Sequence, residues 1–216
     1  MNNAVTAAFR AGACAVAAGF LLLIVALQPT GAQNFMAAKD PGEFIDQLGQ
    51  VAIQHLTDKT ISSEERRSRF RDLMYKAFNV PGIGRFVLGR YWNQATEQER
   101  QEYMSLFEEL LVRTYADRFS QYSGEKFIIS KVQRDAERPN YATVFTAIYQ
   151  PNGQMVRIDW RVMRQEQDQS WRVVDVVIEG VSLTVTQRSE FASVIESKGG
   201  TIKGLIDTLR RKVEGA

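Results

Sequence analysis

The stretch from Trp171 to Phe191 limits what this chain can fold into more than any other. Trp171 to Ile178 is rich in β-branched residues, and apolar side chains occupy both alternating sets apart from Arg172 and one carboxylate, Asp175. A strand apolar on both faces must be covered on both faces. After Glu179-Gly180 the period changes, and the residues from Gly180-Val181-Ser182-Leu183 onward lead into a helix. The rest of the chain therefore has to supply the cover for this strand.

The other strands precede it. Glu125 to Val132, Tyr141 to Tyr149 and Met155 to Met163 alternate with period two, and Asn152-Gly153 marks a hairpin turn. In the third of these, Val156, Ile158, Trp160 and Val162 share one face, opposite Arg157, Asp159 and Arg161. The helices come earlier. Asp40-Pro41-Gly42-Glu43 opens one, Ser62 with Glu65 a second and Thr96 with Glu99 the longest, which runs to about Tyr122. A short apolar helix holding Ile83, Phe86, Val87 and Leu88 ends near Gly89. Two closing helices cover about Val185 to Ser197 and Thr201 to Lys212. Segregated helices and strands predict an α+β fold. The expected architecture is a helical subdomain plus a curved four-stranded antiparallel sheet. Its parts are helices at about 40–122, the sheet at about 125–183 and closing helices at about 184–212.

The N-terminus reads as an export signal. Arg10 precedes the apolar run Ala11 to Leu27, followed by Gln28-Pro29 and the small residues Thr30-Gly31-Ala32. An uncleaved anchor is the competing reading, since the run is near the lower length limit for a span. The predicted division is 1–32 signal peptide and 33–216 a single domain. Removing 32 residues from 216 leaves 184 and takes away Cys14, the only cysteine. Disulfides and thiolate chemistry go with it. The remainder carries 26 basic and 25 acidic residues, since only Arg10 lies in the removed part. That balance gives no support for a nucleic-acid partner.

No catalytic constellation is visible. His55 is the only histidine and sits on an apolar helix stripe, which reads as packing. No metal ligand set is present. Ser182 lacks a Gly-x-Ser-x-Gly surround and reads as a turn or cap. Asp175 must be paired or hydrogen-bonded if buried, by a cross-strand Arg or a backbone turn. Glu179 and Arg188 are candidates for a similar pair. An enzymatic reading would have to rest on Asp175 with Tyr115, and a structural role for Asp175 is preferred.

Several motifs stand in an order and spacing that are informative together. They are Trp171-Arg-Val-Val-Asp175-Val, Gly180-Val-Ser-Leu183, Arg188-Ser-Glu-Phe191 and Arg85-Phe86-Val-Leu-Gly89 with Trp92. Leu110-Leu111 with Tyr115, Gly199-Gly200 and Leu205-Ile206 extend the series. Together they resemble the MlaC-type, toluene-tolerance family of periplasmic phospholipid-binding proteins. The resemblance implies that the helical subdomain and the sheet enclose an apolar cavity, that 33–216 is a single lipid-binding domain, and that the protein is a soluble periplasmic carrier without enzymatic activity or cofactor. It implies transfer of phospholipid between an outer-membrane lipoprotein complex and an inner-membrane MCE-protein/ABC-transporter complex. Cargo of the hopanoid type, or a lipid-free adaptor role in such a system, are the alternatives. Candidate lipid-contacting residues are Ile83, Phe86, Leu88, Phe107, Leu111, Tyr115, Val144, Ile148, Ile158, Trp160 and Trp171. Arg85 and Arg90 are the candidates for the headgroup phosphate.

Overall fold

The computed structural model describes residues 35–215. The expected signal segment and its cleavage position near Ala32 lie outside them. Seven helices and five strands follow in the order helices, sheet, helices. The α+β expectation holds.

Helix α1 (Pro41–Leu56) starts where Asp40 caps it, accepting from Gly42 N at 2.7 Å. Helix α2 (Ser63–Ala77) starts at Ser62, which accepts from Glu65 N at 3.1 Å. The capping box predicted there is half made, because the Glu65 carboxylate turns to Arg69 at 2.7 Å. At Thr96 both halves are present, opening α5 (Glu97–Tyr115). The end predicted near Tyr122 is shorter: after Tyr115 the helix tightens into a 3-10 segment, Ala116–Gln121. Between α2 and α5 lie α3 (Val80–Leu88) and the one-turn α4 (Tyr91–Gln94). Gly89 ends α3 at φ +59°, in the left-handed region that favours glycine.

The sheet is a meander, β1 (Lys126–Arg134), β2 (Tyr141–Tyr149), β3 (Met155–Arg164), β4 (Trp171–Ile178) and β5 (Val181–Ser182), each antiparallel to the next. Four strands were expected, and there are five. Glu179 and Gly180 have φ of 48° and 83°, the signature of a tight two-residue hairpin. The turn folds Val181 and Ser182 back onto Ile178 and Val177. It ends β4 but not the sheet. Ser130 on β1 and Val174 on β4 have no cross-strand partner. Such bulges bend a strand and increase its twist. Asn79 N donates to Val173 O at 2.9 Å beside the second bulge, hooking the α2–α3 connection to the sheet.

Helices α6 (Leu183–Ser197) and α7 (Ile202–Glu214) close the fold. Helix α7 packs on α5, and α6 packs on α3. One apolar cluster joins α3, α5, α6 and α7 through Leu88, Tyr103, Phe107, Phe191 and Leu205. A second joins α1 to the sheet through Phe44, Ile45, Val144, Val162, Trp171 and Val173. The segment before α1 belongs to the second cluster: Phe35 is buried, 5.9 Å from the ring of Phe44. No described helix is long and apolar enough to cross a membrane.

Candidate functional site: an apolar chamber between helices and sheet

The two clusters do not meet everywhere. Between them lies a chamber of about 290 Å³ with an almost wholly apolar lining. Helix α1 contributes Leu48 and Ala52, and α2 contributes Phe70, Leu73 and Met74. Phe78, Val80, Ile83 and Val87 come from α3 and the turn before it; Phe107, Leu111, Tyr115 and Phe119 come from α5 and the 3-10 segment. The sheet wall is Ile158 and Trp160 of β3 with Val176 and Ile178 of β4, and α6 adds Leu183, Thr184 and Gln187. Phe107, Leu111 and Tyr115 are four residues apart, so one face of α5 supplies all three.

Two packing details hold the helical wall. The rings of Tyr103 and Phe107 stack at 5.7 Å, and each meets Phe191 edge-on at 6.2 Å. Tyr103 Oη donates to Gly84 O at 2.9 Å, tying α5 to α3, and burial pushes the Tyr103 phenol pKa up. A Cβ on Gly84 would stand 2.5 Å from Met104 Sδ, so glycine permits this close approach.

The sheet wall hides its polar atoms. Trp160 Nε1 donates to Thr146 Oγ1 at 3.1 Å, and Thr146 Oγ1 donates to Ile158 O at 2.7 Å. The indole therefore satisfies its N–H within the sheet. Asp175 lies at one end of the chamber and is 5% exposed. It accepts from Arg161 Nη1 at 2.9 Å, Ser182 Oγ at 2.7 Å, Thr184 N at 3.1 Å and Thr184 Oγ1 at 2.9 Å. Both sequence options, a cross-strand Arg and a turn, are realised together, and the carboxylate's acceptor sites are occupied. The Glu179–Arg188 pair does not form. Glu179 instead meets Arg157 across the sheet, with Nη2 to Oε2 at 3.4 Å, and Arg188 lies over the Phe86 ring at 5.0 Å.

Six of the eleven sequence candidates line the chamber: Ile83, Phe107, Leu111, Tyr115, Ile158 and Trp160. The other five lie elsewhere. Leu88 faces the α5–α7 cluster and is 2% exposed. Val144 is fully buried on the sheet under α1. Trp171 is buried there too, its Nε1 donating to Lys39 O at 3.2 Å. Ile148 is half-buried towards the end of β2, outside the lining. Phe86 is 44% exposed and lines a second, more polar hollow of about 870 Å³. That hollow shares Ile83, Asp175 and Thr184 with the chamber. Neither Arg85 nor Arg90 reaches the chamber lining; Arg90 pairs with Glu196 at 2.9 Å. Sequence reasoning did not name the α2 residues Phe70, Leu73 and Met74 among the lipid candidates; they recur at helical spacing, but nothing in that period distinguishes a chamber from a packed core. Among the described residues no cluster of His, Cys, Asp and Glu could hold a metal ion.

A helical layer and a curled antiparallel sheet, held apart around an apolar chamber, define the class: an α+β protein with an internal space for an apolar ligand. The family model for the MlaC protein matches residues 44–211. The chain belongs to the MlaC family. It is 25% identical over 151 residues to the intermembrane phospholipid transport system binding protein MlaC of Haemophilus influenzae. That alignment covers 68% of this chain and 66% of the relative, a little under two thirds of its length. A phospholipid-binding protein from Ralstonia solanacearum, solved in complex with a phospholipid, shares the fold at a TM-score of 0.72. It is 23% identical, with 82% of this chain and 98% of that one covered.

Proposed function

We propose that this protein is a periplasmic carrier that moves phospholipid between an outer-membrane lipoprotein complex and an inner-membrane MCE-protein/ABC-transporter complex. The observation that carries the reading is the apolar chamber between α5 and the sheet. Two acyl chains of about 15 methylenes each represent roughly 24 kcal/mol of exposure to water, at about 0.8 kcal/mol per methylene. A carrier must therefore enclose the tails, and it needs no hydrogen bonds to them. The apolar lining described above suits such tails, which ask for no polar partner. A lipid-free adaptor would instead have a filled interior at this place. The protein acts by binding and release, and Asp175, fully engaged in hydrogen bonds, serves the fold.

The chamber volume bears on how loading works. A cavity of about 150 Å³ accommodates a benzene ring. At about 290 Å³ the chamber has room for about a dozen carbon atoms, well short of two acyl chains. Loading therefore widens the gap between α5 and the sheet, and a docked partner that favours the wide form releases the tails by shifting populations.

Native mass spectrometry of protein purified from the native envelope tests the reading. Co-purified phospholipid is the expected result, and a co-purified hopanoid would redirect the cargo assignment. Protein that emerges lipid-free and accepts no lipid from vesicles would overturn it.

A further inference from the structure

We infer that the part of the chamber at Tyr115 and Gln187 carries a two-charge site for a zwitterionic headgroup, Arg118 of the 3-10 segment taking the phosphodiester and Glu190 of α6 the protonated amine. The inference rests on the carrier reading above and adds which lipid class the site prefers.

The starting point is two half-buried residues, Tyr115 on α5 and Gln187 on α6, which both line the chamber. Each is joined on its outer side to an exposed charge. The Arg118 guanidinium lies over the Tyr115 ring, 5.6 Å from its centroid. Gln187 Nε2 donates to Glu190 Oε2 at 3.1 Å. Arg118 makes a hydrogen bond only to the Thr114 carbonyl of its own helix, at 3.2 Å. Among the described residues it has no carboxylate in ion-pair range, and Glu190 has no cation in range. The two opposite charges thus adjoin lining residues of one chamber, and neither is held in an ion pair.

Electrostatics at the Tyr115 hydroxyl agree with this placement. Burial raises its pKa, Arg118 pulls it down, and Glu190 pushes it up. Both charges therefore act on this hydroxyl. A lipid whose tails fill the chamber leaves its headgroup outside the apolar lining. A phosphodiester with a protonated amine a few bonds away presents one anion and one cation, matching this pair. A headgroup with only the anion satisfies Arg118 and leaves Glu190 repelling it. The candidates Arg85 and Arg90 offer no such pair, because Arg90 is already held by Glu196.

The test is competitive uptake from vesicles of equal phosphatidylethanolamine and phosphatidylglycerol, followed by re-isolation of the protein and quantitation of extracted lipid. Exposed charges act through water, so the expected preference is modest, about three-fold for phosphatidylethanolamine. Glu190→Gln should bring the ratio near one, and Glu190→Arg should reverse it. Arg118→Gln should lower uptake of both lipids several-fold. Both positions of substitution are on the surface, and circular dichroism melting checks that the fold is kept. A wild-type protein that takes up both lipids equally, with a ratio that no variant moves, overturns this assignment and leaves the carrier reading standing. A wild-type protein that takes up neither lipid overturns the carrier reading and this assignment with it.

Discussion

Arg161 Nη1 donates to Asp175 Oδ2 at 2.9 Å across the β3–β4 pair, and it does so from an unequal position. The Arg161 side chain is 52% exposed, whereas that of Asp175 is 6% exposed. The arginine can return to water; the carboxylate cannot. What holds Asp175 in place is therefore the set of donors at the start of α6, namely Ser182 Oγ, Thr184 N and Thr184 Oγ1.

Removing the carboxylate should cost more than removing the arginine. Asp175→Ala leaves those donors without their acceptor, and the expected loss is about 2–3 kcal/mol. Arg161→Gln should cost about 1 kcal/mol or less, as for other half-exposed pairs. Urea denaturation of both variants measures the difference.

A charge on the sheet wall should block loading. Ile158 lines the chamber and sits beside Trp160 on the same face. Ile158→Glu places a carboxylate where no donor is aimed, and an unpaired charge is not tolerated beside acyl chains. Phospholipid per protein should fall at least about ten-fold, on the strength of that desolvation penalty. The ratio is read by lipid extraction, with circular dichroism as the control for folding.

Trp171 should separate stability from loading. It is fully buried under α1 and outside the chamber. Trp171→Phe removes volume and the hydrogen bond to Lys39 O, so the melting temperature should drop. Lipid uptake below that temperature should be near wild type. A selective loss of uptake with stability intact would return Trp171 to the cargo site.

Acid should weaken the α2–α5 contact. Glu109 bonds Arg113 Nε at 2.6 Å and also pairs with Arg71. Partial burial pushes its carboxyl up, but the hydrogen bonds and charges of the two arginines outweigh this, and its pKa lies below the ordinary 4.5. A carboxyl lowered in the folded state stabilises above its unfolded pKa and loses that contribution as pH falls through the folded value. Stability should hold above about pH 4.5 and decline below it. Glu109→Gln should flatten the decline in a series of denaturant midpoints.

Gly89 should resist substitution. At φ +59° and ψ −131° its backbone suits glycine alone, and a Cβ there would stand 3.0 Å from Arg188 Nε. Gly89→Ala should cost about 1–3 kcal/mol, visible as a lower melting temperature.

Local signals accounted for much of the fold. Asp40, Ser62 and Thr96 cap the helices that their spacing predicted. The Tyr141–Tyr149 strand has the bounds its alternation gives, and the hairpin at Asn152-Gly153 closes as expected. These features depend on neighbouring residues, which is why they can be read along the chain. The short β5 strand escaped notice because Glu179-Gly180 resembles both a strand end and a hairpin turn. The burial of Phe35 left no trace in the sequence, since one aromatic residue carries no period.

The site divided along the same line. The sequence named Ile83, Phe107, Leu111 and Trp160 as candidate cargo contacts, and it named Leu88, Val144 and Trp171 beside them. Whether an inward residue meets another side chain or open space depends on how far apart the two layers stand. That distance is set by contacts remote in sequence: Tyr103 on Gly84, Asn79 on the bulged β4, Phe107 against Phe191. The sequence by itself determined which residues turn inward, because that is a matter of helical and strand period. Only the tertiary structure decided which of them face an empty chamber, because a void is a property of the packing between elements and of no element alone.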